Sequence, residues 1–252
     1  MTLEQKYDDL NAYAQRLMDV GIAVVADAKV EVGEKWAKEP KVIALALLCR
    51  SLGNLKGAVL LLQQQMLVEA QVLTRCCVEN LIYVGALRNT GDAFVEKLLS
   101  ADAHSKKKLV NSALEIYADN AEQLESVGRL SKAVKAIESR HPKTKGFNTK
   151  ELSKDNPVGS SYLQFSVLSE QAVHVSASSL GRHLGRESEG NQVFLRVDIA
   201  PKSSDERIFN LQLELLGVVL GVVVGVNEIV GGTEAGRELS TLMKKFDSFR
   251  DA

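Results

Sequence analysis

Arg75 and Glu79 stand four residues apart in a segment that is otherwise almost entirely apolar. Residues four apart on a helix are neighbours on its surface, so these two charges can meet. Around them run Val68, Val72, Leu73, Cys76, Cys77, Leu81, Ile82 and Val84, which cover nearly every side of a helical wheel. A helix of that kind is buried. Burying an ion costs several kcal/mol unless it is paired and hydrogen-bonded. The two charges therefore need each other and further partners. They read either as a structural ion pair or as part of a functional pocket. Tyr83 extends the same side by one more turn.

A second polar set recurs at steps of four: Tyr162, Ser166, Glu170, His174, Ser178 and Arg182. The surrounding pattern predicts one helix from Tyr162 to about Leu184. A step of four drifts about 40° per turn, so only the middle members share one face. These are Glu170, His174 and Ser178. A glutamate one turn before a histidine can fix its tautomer. The arrangement suits a general base, a pH-sensitive contact or a simple helix pair. The candidate catalytic set is His174, Glu79 and Arg75. The candidate ligand-binding set is Tyr83, Tyr162, Ser169, Glu170, Ser178 and Arg182.

Other chemistry is missing from the sequence. There is no GxxxxGK[ST] loop and no GxGxxG after a strand. His104, His141, His174 and His183 lack metal-ligand spacing, and no serine sits in a GxSxG turn. Cys49, Cys76 and Cys77 make neither a zinc spacing nor a disulfide framework. No metal and no cofactor are expected. With 31 Lys and Arg against 32 Asp and Glu, no overall field points to nucleic acid or an anionic membrane. Between Lys106 and Lys154 eleven basic residues face six acidic ones, which reads as a solvated face or a weak nucleic-acid patch.

The elements that must position these residues are helical. Thr2 and Gln5 pattern as a capping box for a helix running through Val24 to about Val32. Pro40 suits the first turn of a second helix, over about Lys41 to Gln64. Gln63 to Met66 reads as a joint, and a third helix runs from Leu67 to Arg88. The two form a helical hairpin or one bent helix. Asp92 caps a helix to about Tyr117, and a weaker helical stretch covers Ala121 to Ser139. The run from His141 to Gly159, with Pro142 and Pro157, reads as a loop or short linker. Ser161 with Gln164 patterns as the capping box of the His174 helix, which Gly185 to Gly190 breaks.

Val193 to Ile199 alternates and ends before Pro201. It is the one good strand candidate: an extended arm, part of a small hairpin, or a strand that pairs with another subunit. Ser203 and Glu206 pattern as a third box, for a helix from Ser204 to about Val230. Thr233 caps a last helix through Phe249. The fold class is all-α, a bundle of seven or eight helices in a single domain over 1–252. Its parts are an N-terminal helix (1–33), a core bundle (41–184) and C-terminal helices (203–250).

Within Leu215 to Val226, Gly217, Gly221 and Gly225 recur every fourth residue. Small residues at that spacing form a groove that lets another helix approach closely. The uninterrupted apolar run is only twelve residues, flanked by Glu214 and Glu228, whereas a membrane span needs about twenty. The stretch reads as a buried core helix, with a membrane helix or a buried strand as the other readings.

The stretch Val68 to Glu79 resembles the arginine-then-glutamate helix of a family of uncharacterised bacterial helical proteins, a domain of unknown function. Tyr162, Ser169, His174 and Ser176, reading Y-x6-S-x4-H-x-S, resemble its second signature. The resemblance covers roughly Lys41 to Leu184. That family is similar to the HEPN helical bundles, several of which are toxins, antiphage ribonucleases or nucleotide-binding partners in such systems. HEPN ribonucleases carry an arginine, a few residues, then a histidine on one helix. Here no arginine stands four to seven residues before any histidine, and no residue is carried over. The resemblance implies a ligand- or partner-binding module of a mobile-element or defence system. The alternative is a HEPN-like nuclease or other hydrolase using His174 with a carboxylate. The chain is expected to be cytoplasmic and homodimeric, with an unidentified ligand or protein partner and no membrane.

Overall fold

A computed structural model describes residues 3–31, 33–34, 36–117, 124–140, 145–146, 148–154 and 156–251. It is 78% helical, as an all-α chain requires. In chain order the elements are α1 (Leu3–Asp27), α2 (Pro40–Gln63), α3 (Leu67–Thr90), α4 (Asp92–Tyr117) and α5 (Leu124–Arg140). They continue with α6 (Thr149–Lys154), α7 (Ser161–Leu168), α8 (Ala177–Gly181), β1 (Leu184–Glu189), β2 (Gln192–Val197), α9 (Asp205–Val230) and α10 (Leu239–Arg250). The chain divides into two compact units, 1–89 with 150–252, and 90–149.

The first unit is built around α9. Its residues Leu215, Leu216, Val219, Val222, Val223 and Val226 are fully buried. Helix α2 packs on α9, and α1 packs on both. Helix α1 supplies the stripe Leu10, Ala14, Leu17 and Val24, all at most 1% exposed. Both α2 and α9 are long and apolar enough, by length and composition, to cross a membrane. The central helices of a packed bundle have the same character.

Helices α2 and α3 form the hairpin rather than one bent helix. The turn at Gln64–Met66 carries Gln65 at φ +62°. Beyond it α3 runs back along α2, and Asn80 Nδ2 donates to Ser51 Oγ at 2.9 Å. Ser51 Oγ in turn donates to the Leu47 carbonyl at 2.8 Å.

The glycine stripe of α9 is a packing groove. A Cβ on Gly221 would stand 3.0 Å from Leu81 of α3, and one on Gly225 would stand 2.6 Å from Val84. The ion pair Arg88–Glu228, 3.0 Å, continues the same contact. So α3 lies parallel to α9 in its glycine groove. Gly217 accommodates Phe246 of α10 instead, 2.7 Å from where its Cβ would be.

In the second unit α4 packs on α5, with Val110 and Val134 buried. The Lys145 N–H donates to Ser100 Oγ at 3.0 Å. Part of the basic excess is neutralised locally, by Lys106–Asp102 at 2.7 Å and Arg129–Glu125 at 3.3 Å.

Several boundaries differ from expectation. Helix α1 ends at Asp27, whose carboxylate accepts from the distant Ala235 N–H at 3.0 Å. Thr2, Val32, Ala121, His141 and Pro142 lie outside the described residues. Helix α6 falls inside the expected loop. The turn after it is held by Asn156, whose Nδ2 donates to the Ile82 carbonyl at 2.8 Å. Gly85 makes room for that side chain, since a Cβ there would meet Asn156 Oδ1 at 2.1 Å.

Ser161 and Gln164 form no capping box, because the Gln164 carboxamide donates to Glu214. Ser203 is not the cap of α9. Ser204 is, and it accepts from the Arg207 N–H at 3.4 Å. Thr233 is not the cap of α10: the short 3₁₀ turn Ala235–Glu238, whose N-cap is Glu234, intervenes, and Thr233 Oγ1 accepts from the Gly236 N–H at 3.0 Å. The glycine-bearing run expected to break the helix, Gly185 to Gly190, lies within β1 and its turn. It pairs antiparallel with β2, Leu184 opposite Val197 through Glu189 opposite Gln192.

Candidate functional site

Arg75 and Glu79 do come together on α3, but loosely. Arg75 Nη1 stands 3.8 Å from Glu79 Oε2, with the two side chains 22% and 19% exposed. That is an ion pair by proximity, beyond hydrogen-bond length. Each charge has a closer partner. Arg75 Nε donates to Ser169 Oγ at 2.8 Å. The Arg75 guanidinium also lies over the Phe165 ring, 4.3 Å from its centroid. Glu79 Oε1 accepts from the Tyr83 hydroxyl at 3.3 Å.

Helix α7 and Ser169, the first residue of the turn that follows it, supply the other wall. Tyr162, Phe165 and Ser169 recur at spacings of three and four, so they line one face. The Tyr162 and Phe165 rings stack at 6.0 Å. Ser169 Oγ donates to the Phe165 carbonyl at 2.7 Å, which fixes its lone pairs toward Arg75. One turn below, Gln71 Nε2 donates to Gln171 Oε1 at 3.1 Å. On the side of α9, Gln164 donates to Glu214. Burial pushes the Glu214 carboxyl up, and that hydrogen bond offsets part of the rise.

The histidine half of the expected site is organised differently. The expected helix Tyr162–Leu184 is broken. Ser169–Val173 forms a π-helical turn, and its last backbone bond runs from the His174 N–H to the Ser169 carbonyl at 3.2 Å. His174 itself is extended (φ −100°, ψ 138°). Ser176 then caps α8 reciprocally with Ser179, through bonds of 2.8 and 3.1 Å. Serine side chains that bond to nearby backbone compete with helix continuation. The break takes Glu170, His174 and Ser178 off a common helical face.

Glu170 and His174 are exposed, and among the described residues no hydrogen bond or ion pair joins them. The Ser178 side chain lies outside what is described. Arg182 turns to its neighbour, its Nε donating to His183 Nε2 at 2.9 Å. His183 Nδ1 therefore carries the proton and donates to the Asp198 carbonyl at 2.8 Å. That pair closes the base of the β-hairpin. Thus Arg75, Glu79, Tyr83, Tyr162 and Ser169 converge, whereas Glu170, His174 and Arg182 stand apart from them.

Phe165 is the member the sequence reading missed. Its place three after Tyr162 and four before Ser169 was legible. Gln71, Gln171 and Glu214 carried no sequence signal, because their partners lie on other elements. Among the described residues no group of His, Cys, Asp and Glu is placed to hold a metal ion.

A cleft of about 440 Å³ opens elsewhere in the same unit, lined by Tyr7, Asp8, Asn11, Asp205 and Gln212 among others. Several of its polar groups are occupied by one another. The Tyr7 hydroxyl donates to the Asp205 carbonyl, and Gln212 Nε2 donates to Asn11 Oδ1 at 2.8 Å. None of the candidate catalytic or ligand-binding residues lines it.

No curated protein and no solved structure matches this chain. The profile of a family of unknown function, DUF5677, matches residues 41–192. That span runs from α2 to the first residue of β2 and includes both walls of the Arg75 site. It also contains both motifs that carry the resemblance. The chain belongs to the DUF5677 family.

Proposed function

We propose that the chain is a binding module whose recognition element is the Arg75 guanidinium, and that its ligand carries a carboxylate or a phosphate. The observation that carries this reading is the state of Arg75. Its Nε is held by Ser169 and its plane is set by Phe165. Its terminal nitrogens make no hydrogen bond among the described residues. A guanidinium fixed in plane, with its outer N–H groups approached only by Glu79 at 3.8 Å and not hydrogen-bonded, matches the two oxygens of a carboxylate or phosphate. Ordering it beforehand lowers the entropic cost of binding. Glu79, one turn away, opposes a bare dianion. It favours a ligand whose anionic group is flanked by an N–H or O–H donor that the carboxylate can accept.

The nuclease alternative requires a base against a carboxylate. His174 has no such partner among the described residues, and no other observation favours that reading.

The test is ligand-dependent thermal stabilisation, with inorganic phosphate, nucleoside monophosphates and amino acids as probes. At one hundred times Kd a ligand adds about 2.7 kcal/mol. In a chain of this size that raises Tm by roughly 5–10 °C. Arg75→Ala should abolish the shift, and Arg75→Lys should keep only part of it, since a point charge lacks the planar fork. The reading is rejected when no probe shifts the wild type, or when Arg75→Ala responds as the wild type does.

A further inference from the structure

The β-hairpin offers a free edge. Its turn places Gly190 at φ +56°, the position a type II′ turn gives to glycine. The ladder runs from Leu184 opposite Val197 to Glu189 opposite Gln192 without a bulge. Alternation puts Leu184, Val193, Leu195 and Val197 on one face. These four are between 52% and 70% exposed, and Ile199 just beyond is 93% exposed. The other face carries Phe194 and the ion pair Arg196–Glu187, 3.2 Å. A two-stranded ribbon that leaves apolar side chains in water is marginal by itself.

The hydrogen-bond phase identifies which groups are unpaired. The Asp198 N–H donates to the His183 carbonyl at 2.8 Å. In an antiparallel ladder hydrogen-bonded pairs alternate, so Gln192, Phe194 and Arg196 face β1. Val193, Leu195 and Val197 therefore direct their N–H and C=O groups outward. No further strand takes them up among the described residues. Exposed edges are ordinarily blunted by proline, lysine or a bulge. From Gln192 to Ala200 there is neither proline nor lysine.

From this edge we infer that β2 pairs antiparallel with β2 of a second copy of the chain, about a two-fold axis at Leu195. The occupant follows from the self-complementarity of the strand. Centred on Leu195, the register sets Leu195 opposite Leu195 and Val193 opposite Val197, so the apolar row is continuous across both copies. On the other face Phe194 lies opposite Arg196, a cation over a ring, and Gln192 lies opposite Asp198. All of these are favourable cross-strand pairs. Shifting the register by two residues one way opposes Arg196 with Arg196. The other way opposes Val197 with Asn191. Two copies make a four-stranded sheet, which passes the three strands that independent stability needs. This contact is separate from the Arg75 site and does not depend on it.

The experiment is sedimentation equilibrium of the full chain across a concentration series. The wild type should dimerise. Leu195→Glu opposes two carboxylates at the axis and should raise the dimer Kd about 10-fold or more. Leu195→Lys should do the same. An equimolar mixture of Leu195→Glu and Leu195→Lys should dimerise again, because opposite charges then face each other. Val197→Glu is the second variant, placing its charge opposite Val193. Circular dichroism should show the wild-type helical signal in every variant, since an exposed arm does not carry the core. A monomeric wild type would overturn the inference. So would a Leu195→Glu protein that dimerises as the wild type does, a mixture that stays monomeric, or loss of helix in both glutamate variants.

Discussion

Gly225→Ala probes the groove between α3 and α9 with a single methyl group. The added Cβ would stand 2.6 Å from Val84 Cγ1, about 1 Å inside a comfortable carbon–carbon contact. Val84 is 1% exposed, so no solvent lies beside it to receive a displaced side chain. It is also β-branched, and in a helix valine has one strongly favoured χ1. Overpacking of this kind costs about 1–3 kcal/mol. Replacing a helical glycine by alanine returns about 1 kcal/mol. The net loss is about 0–2 kcal/mol, a fall in Tm of up to roughly 8 °C. At Gly221 the neighbour is the flexible end of Leu81, 3.0 Å away. Gly221→Ala should thus be near neutral, while Gly221→Leu should cost about 3 kcal/mol. Thermal and urea melts followed by circular dichroism read these values. Combining Gly225→Ala with Val84→Ala opens the space again, and the double-mutant cycle should show a coupling of about 1 kcal/mol. A Gly225→Ala protein more stable than the wild type, with no coupling to Val84, would refute the packing argument. Wild type recovered only from detergent-extracted membranes would refute it too, since lipid or a membrane helix would then fill the groove.

Two further expectations concern ionisation. Burial, with a smaller contribution from neighbouring Cys76, pushes the Cys77 thiol up to about 12, whereas Cys49 is exposed. At pH about 8 an alkylating reagent should label Cys49 rapidly and Cys77 only after denaturation; equal rates for all three thiols would contradict this. The Glu214 carboxyl is raised by burial, so the folded state holds that proton more tightly than the unfolded chain. As pH rises above the ordinary glutamate value of about 4.3, the unfolded state ionises first and this group's contribution to stability falls until the folded carboxyl has also ionised. Glu214→Gln should remove that decline and flatten the stability profile, and parallel wild-type and variant profiles would show that Glu214 contributes nothing to it.

Much of the fold was legible because it depends on local or periodic rules. The three- and four-residue apolar repeats placed α1, α2, α3, α4 and α9. Pro40 marked the first turn of α2. Arg75 and Glu79 could be paired because a spacing of four on a helix is itself a geometry. The glycine repeat at 217, 221 and 225 announced a close approach, since three helical glycines are costly without one.

What tertiary structure decided were the matters in which a side chain chooses between a local and a distant partner. Gln164 left its capping box for Glu214, and the Asp27 carboxylate at the end of α1 accepts from the Ala235 N–H. Whether Ser176 would cap a new helix or continue the old one was a contest of small energies, about 1 kcal/mol for a cap. Its outcome opened the chain at His174 and dispersed the polar stripe that spacing alone had drawn. Arg75 likewise took Ser169 and Phe165 across the helix interface in preference to a tight bond with Glu79. Helical periodicity fixes which residues share a face. Only packing brings two faces together, and the Arg75 site exists because α7 was laid against α3.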